Sequence, residues 1–136
     1  MIRFMIDLET LGTTMKPVIA TIGIAAFNDQ EIVDGFYQRV DIQSCLDRGL
    51  EVTGDTIAWW MQQPKESAAE VFSGDRVHLA DAMLQVVHWM KALINRETEE
   101  THRALFEVWS NGACEDLIWM QSAFEATGFP CPWNFR

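Results

Sequence analysis

Basic residues are scarce in this sequence: 10 Lys and Arg stand against 20 Asp and Glu, and the formal net charge is −10. Such a chain is repelled by phosphate backbones and by anionic lipid, which argues against broad non-specific adhesion to nucleic acid or membranes. A partner that carries phosphates would therefore need a local contact assisted by cations. The densest acidic run, residues 97–100, is expected to be a solvated loop.

Cysteines are also few, and long apolar runs are missing. The three cysteines are widely spaced and include no C-x-x-C pair, which argues against a disulfide framework and a cysteine zinc site. No window approaches the 18 or more apolar residues of a membrane span, and the first residues do not resemble a secretory signal. We expect reduced thiols, a cytoplasmic location and no membrane partner.

Large apolar side chains, in contrast, are plentiful. Hydrophobic residues make up 49% of the 136 residues, and six Trp and eight Phe supply bulk for a core. This composition argues against intrinsic disorder, and we expect a single domain over residues 1–136 that folds alone.

The apolar pattern predicts an α/β order. Apolar, β-branched runs predict strands over 2–8, 18–27, 31–40 and 105–109, with the second and third joined by a short turn as an antiparallel hairpin. A helical period over 79–94 predicts a long helix whose apolar face lies on the sheet. Other helices are predicted from Thr53 or Asp55 with Ile57, Trp60 and Met61 on one side, around Pro64 to Phe72, and over 115–126, with a short helix or loop over 41–49.

Two carboxylates, Asp7 and Glu9, stand at the end of the first apolar strand. Residues i and i+2 of a strand share a face, so this pair would repel unless a positive charge lay between them. A hard divalent cation, Mg²⁺ or Mn²⁺, is the economical solution. Alone, the D-x-E pattern is weak evidence, since an exposed strand end with a role in caps and turns is the commoner explanation.

Further motifs follow in order: Glu9-Thr-Leu-Gly12, then Asp55-Thr-Ile-Ala-Trp-Trp60, then Val108-Trp-Ser-Asn-Gly-Ala-Cys-Glu-Asp116. Together they resemble the DEDD-type 3'-5' exonucleases of the RNase H-like superfamily, most closely the branch of prophage exonuclease VIII and the small mycobacterial 3'-5' exoribonucleases. The resemblance covers essentially the whole chain. It implies an RNase H-like mixed sheet with strands 1–3 antiparallel, strand 4 parallel, strand 1 central, and helices on the flanks.

The resemblance also implies a site. Asp7, Glu9 and Asp116 would be catalytic metal ligands for Mg²⁺ or Mn²⁺, with two ions in a complete site, and the reaction would be two-metal phosphodiester hydrolysis at a 3' end. The partner would be single-stranded nucleic acid or a 3' overhang. Thr10 and Leu11 would contact the terminal nucleotide, although loop packing explains Leu11 equally well.

Two further residues are candidates with open alternatives. Trp60 could stack on a base, whereas packing is the commoner role for tryptophans on an amphipathic helix and is favoured for Trp59. Asn111 either holds the turn in a left-handed conformation or orients Asp116.

One part of the family pattern is missing. The resemblance implies a third motif with another Asp and a His or Tyr five residues before it, but no Asp, His or Tyr follows Asp116. Glu115 also replaces a usual aromatic residue. His78, His88 and His102 are expected to be structural or solvated. We expect that the final strand and helix are missing, so that strand 4 becomes an exposed sheet edge and the protein self-associates there.

Three functions therefore remain open. The chain is a metal-dependent 3'-5' exonuclease, or an inactive truncated nuclease fold that binds a nucleic-acid end or a protein. An acidic mimic of DNA is the third, and only the net charge supports it.

Overall fold

The chain folds into a mixed four-stranded sheet flanked by helices. The computed structural model describes residues 1–102, 105–112 and 114–133. Their elements follow in chain order: β1 (Ile2–Thr10), β2 (Ile19–Phe27), β3 (Ile32–Arg39), α1 (Ile42–Asp47), α2 (Gly54–Met61), α3 (Lys65–Phe72), α4 (Leu79–Thr101), β4 (Phe106–Ser110) and α5 (Glu115–Thr127). Within these residues, no helix is long and apolar enough to cross a bilayer.

The strands lie in the order β3-β2-β1-β4. β1 pairs antiparallel with β2, β2 pairs antiparallel with β3, and β1 pairs parallel with β4. The predicted α/β class, the hairpin and the internal position of β1 are thus confirmed. In the parallel pair Ile6 lies opposite Ser110, so the end of β4 reaches the middle of β1 from more than a hundred residues away in the sequence.

The two faces of β1 differ because successive side chains alternate across a strand. One face is buried and belongs to the core; its members are Ile2, Phe4, Ile6 and Leu8. The other face carries Asp7 and Glu9, of which Asp7 is exposed. The chemistry-bearing carboxylates thus project away from the core while their strand is fixed within it.

Helix α4 packs its apolar side against the sheet, as its period predicts. The ring of Trp89 contacts Phe4 edge-on at a centroid distance of 5.7 Å and Phe36 at 5.6 Å. His78 begins this helix, since its Nδ1 accepts a hydrogen bond from the Ala80 N–H. The acidic run at 97–100 is helical, because α4 continues to Thr101, and the predicted solvated loop there is wrong.

The loop after β1 is joined to the start of α2 by backbone hydrogen bonds. Leu11 donates to the Val18 carbonyl and accepts from the Thr53 N–H, with both distances 2.9 Å. Gly12 permits this close approach, since a Cβ there would lie 2.8 Å from the Glu51 carbonyl oxygen. These contacts fix α2 beside the end of β1. On α2 itself Trp60 is buried, whereas Met61 is 83% exposed and does not share its side.

Arg76 links β2, α3 and the segment after β3 through hydrogen bonds to backbone carbonyls. Its guanidinium donates to Ala20 at 3.0 Å, to Val40 at 2.7 Å and to Val71. Burial lowers the pKa of this guanidinium from its ordinary value. A charged donor that serves three carbonyls is costly to remove, because each acceptor loses its partner.

We therefore expect Arg76→Met to lower the free energy of unfolding by about 2–3 kcal/mol. Urea unfolding followed by circular dichroism measures the change through the transition midpoint. Arg96→Met, at an exposed position on α4, is the matched control and should change stability little. A loss at Arg76 no larger than that of the control would show that these carbonyls need no charged partner.

Candidate active site

The parallel pairing of β4 with β1 brings acids from both ends of the sequence together. Asp7 and Glu9 lie near the end of β1, and Asp116 lies in the first turn of α5. Asp116 is 8% exposed, and its Oδ1 accepts a hydrogen bond of 3.2 Å from the Leu8 N–H. An acid from α5 thus contacts the backbone between the two acids of β1.

Residues of the β4–α5 turn hold these carboxylates. Ser110 Oγ donates to Asp116 Oδ2 at 3.1 Å, so both oxygens of Asp116 have donors. Asn111 Nδ2 donates to Asp7 Oδ1 at 3.4 Å, and its backbone N–H donates to the Ile6 carbonyl. Ala113 in the same turn lies outside the described residues. The turn therefore positions one acid from each partner element.

Asn111 takes neither of the two roles that its sequence position suggested. Among the described residues His102 is the one non-glycine with a positive φ, so Asn111 is not in the left-handed region. Its amide reaches Asp7, whereas Ser110 contacts Asp116. Sequence reasoning missed Ser110, although its place six residues before Asp116, at the end of a strand, was a usable signal.

The site is electrostatically unfavourable without a cation. The pKa of Glu9 is raised, chiefly because burial disfavours its charged form and further because Asp7 and Asp116 repel it. The pKa of Asp116 is also raised, chiefly by burial. The hydrogen bonds from Leu8 and Ser110 lower this pKa, whereas the charges of Asp7 and Glu115 raise it further. Glu115, the departure from the family pattern, thus adds to the negative field.

The carboxylates flank one region without closing on a single point. In the part of the chain that the structure describes, no three His, Cys, Asp or Glu side chains are grouped closely enough to hold one ion. Mutual repulsion opposes a closer approach of like charges, and a cation is the group that would remove this opposition. The donors are all carboxylate oxygens, which suits Mg²⁺ or Mn²⁺.

A pocket of about 450 Å³ adjoins Glu9 between the end of β1 and helix α2. Its lining consists of Leu8 and of aromatic, hydroxyl and acidic residues: Glu9, Thr10, Thr13, Thr53, Asp55, Thr56, Trp59, Trp60 and Trp119. No histidine is among these lining residues. The pocket is large enough for a small ligand and continuous with the acidic site.

The substrate-contact candidates differ in how accessible they are. Leu11 is 3% exposed and belongs to the core, as its packing alternative describes. Thr10 is 9% exposed, and its hydroxyl donates to the Gly12 carbonyl at 2.8 Å. Trp60 is 8% exposed, and its Nε1 donates to the Thr10 carbonyl at 2.9 Å. Trp59, for which packing was favoured, leaves 53% of its surface exposed.

Comparison with known families agrees with this geometry. A family model described as the 3'-5' exoribonuclease Rv2179c-like domain matches residues 2–136. The chain belongs to this family. Members of the Rv2179c-like family are 3'-5' exoribonucleases, which are phosphodiester hydrolases. No curated protein matches the chain.

If the three carboxylates repel one another, removing one charge should stabilise the metal-free protein. We expect Glu9→Gln to raise the free energy of unfolding by about 0.5–1 kcal/mol in EDTA. The expected gain is small because Glu9 is only half-buried, so that solvent screens part of the repulsion. Urea unfolding measures the change. Glu31→Gln, an exposed acid in the β2–β3 turn, controls for net charge. A destabilised Glu9→Gln variant would contradict a repulsive cluster.

Proposed function

We propose that this chain is a metal-dependent 3'-5' exoribonuclease acting on the 3' ends of single-stranded RNA or of 3' overhangs. The observation that supports the proposal most is the hydrogen bond from the Leu8 N–H to Asp116 Oδ1, because Leu8 stands between Asp7 and Glu9 in β1. Membership of the Rv2179c-like family supports the reaction class. The cytoplasmic location predicted from the cysteines remains part of this proposal.

Asp7, Glu9 and Asp116 would hold the divalent cations, Mg²⁺ or Mn²⁺, with two ions in a complete site. Their fit rests on an all-oxygen donor set and on the raised pKa values of Glu9 and Asp116, both of which a bound cation would offset. The chemistry that such cations supply when bound is activation of water and stabilisation of the leaving oxygen.

The protein's own contribution is positioning. Ser110 and the Leu8 N–H fix both oxygens of Asp116, and Asn111 restrains Asp7, so two acids keep their orientation before substrate arrives. Thr10 and Trp60, which line the pocket beside Glu9, and Asn111, which contacts Asp7, would lie around the terminal nucleotide, whereas Leu11 is buried in the core. Trp60 also has a structural role, because its indole N–H donates a hydrogen bond to the Thr10 carbonyl.

The family resemblance implies a general base at a position that this sequence does not supply. No Asp, His or Tyr follows Asp116 in the sequence, so the fourth acid and the base that the family resemblance implies are not among these 136 residues. We therefore propose that the isolated chain hydrolyses RNA slowly. The same observation favours a second candidate, in which the chain binds a nucleic-acid end or a protein without cleaving.

A 3'-end assay separates the two candidates. A single-stranded RNA labelled at its 5' end is incubated with Mg²⁺ or Mn²⁺, and gel electrophoresis records stepwise shortening from the 3' end. We expect metal-dependent shortening that Asp7→Asn slows on the order of 10²-fold or more, since that change removes a charged ligand. Asp81→Asn, at an exposed position on α4, should retain activity.

Two results would contradict the exonuclease proposal. If the folded chain binds the RNA in the presence of metal but releases no nucleotides, or if Asp7→Asn shortens it as fast as the unchanged chain, the exonuclease proposal fails for this chain. Binding without release would instead favour the non-catalytic module.

Strand β4 also supports a proposal about assembly. Among the described residues no strand pairs with its outer side; Leu105, just before this strand, is 67% exposed, and Trp109 within it is 44% exposed. Unpaired strand edges with apolar side chains are templates for pairing with another chain. We propose that two copies associate through this edge.

Light scattering after size-exclusion chromatography tests the association over increasing protein concentrations. We expect the unchanged chain to move toward a dimer mass, and the double variant Leu105→Lys with Trp109→Lys to stay a monomer, because charges on an edge oppose strand addition. Met61→Lys, on an exposed apolar residue of α2, should dimerise normally. A monomer at every concentration would refute the assembly.

A further inference from the structure

The pocket beside Glu9 offers one exposed aromatic surface and two fixed aromatic walls. Trp60 and Trp119 have their indole N–H groups committed, to the Thr10 and Thr14 carbonyls, at 2.9 Å each. Trp59 lines the same pocket, is 53% exposed, and is braced edge-on by Trp60 at a centroid distance of 4.8 Å. Trp59 is therefore the indole most available to a ligand.

A carboxylate stands next to this surface. Asp55 lies four residues before Trp59 on α2, a spacing that puts two side chains on one face of a helix. It is exposed and lines the same pocket. Within the described chain its carboxylate makes no hydrogen bond or ion pair, and it lies in the first turn of α2, where an acid also favours the helix dipole. An acceptor-only group beside an open ring is suited to a planar ligand that carries donors.

A nucleobase has that chemistry. Bases stack on aromatic side chains with little dependence on sequence, whereas the hydrogen-bonding groups on their edges distinguish them. Adenine, cytosine and guanine each present an exocyclic amino group, which a carboxylate accepts from. Uracil presents a single ring N–H between two carbonyl oxygens, and these oxygens would face the negative charge of Asp55.

We propose that this pocket selects the 3'-terminal base, with Trp59 stacking on it and Asp55 accepting from its amino group. RNA ending in adenine, cytosine or guanine is then preferred to RNA ending in uracil. The inference rests on the proposed function, because it is the adjacency of Glu9 that makes the terminal nucleotide the occupant.

Binding of nucleoside 5'-monophosphates tests the pocket without requiring catalysis. Titrations of AMP, CMP and UMP in Mg²⁺, followed by isothermal calorimetry, should give a Kd for UMP about tenfold weaker than for AMP or CMP. Asp55→Asn should bring the three values together, since an amide can both donate and accept. Equal binding of AMP and UMP by the unchanged chain would overturn the selection.

Two variants separate stacking from folding. Trp59→Ala should weaken all three nucleotides by about tenfold or more, and Trp59→Phe should restore much of the binding because it keeps an aromatic face. Asp81→Asn controls for the charge change in Asp55→Asn. Circular dichroism and urea midpoints confirm that each variant is folded. Unaltered binding by folded Trp59→Ala would remove Trp59 from the site.

The 3'-end assay distinguishes failure of this inference from failure of the proposed function. RNAs that differ only in a terminal A, C or U are compared in the presence of metal. Asp7-dependent release at one rate for all three ends would overturn base selection and leave the exonuclease standing. No release, together with nucleotide selectivity that Asp55→Asn abolishes, would support the selective pocket and defeat the exonuclease.

Discussion

The parallel pairing of β1 with β4 is the constraint on which the rest of the site depends. It sets Ile6 opposite Ser110, and the Asn111 N–H extends the pairing to the Ile6 carbonyl. Once β4 is in this register, α5 must start beside the end of β1, and the Asp116 carboxylate meets the Leu8 N–H. A shift of one residue in β4 would turn its side chains to the other face and move Asp116 from this contact.

That geometry opposes stability locally. The raised pKa values of Glu9 and Asp116 record that burial and like charge disfavour the ionised site. The surrounding sheet tolerates this because β1 is internal and its other face is packed in the core. Active sites commonly hold such unfavourable charge, which a bound ligand or cation relieves.

The sequence predicted most of the fold because its strands and helices have strong periods. The predictions were wrong or missing where the structure depends on polar residues or on contacts between distant segments. Helix α4 continues past residue 94 through polar residues that carry no apolar period, although Thr98 and Thr101 return hydroxyl hydrogen bonds to carbonyls four residues earlier. The approach of Asp116 to the backbone between Asp7 and Glu9 was predicted only through the family resemblance. The Ser110 contact, the Asn111 contact and the unequal exposure of Trp59 and Trp60 depend on the packing of distant segments, which no local pattern encodes.

The composition also limits how this protein can hold RNA. With a net charge of −10, general attraction to phosphates is absent, and long-range electrostatics oppose the approach of a polyanion. Stacking on an indole is independent of net charge, and a cation held by the acidic cluster would act only at the reacting phosphate. Recognition would then be concentrated at one nucleotide and one phosphate instead of along the strand. A site built in this way would favour chain ends over internal segments, because an internal nucleotide brings phosphates on both of its sides toward a chain of net charge −10.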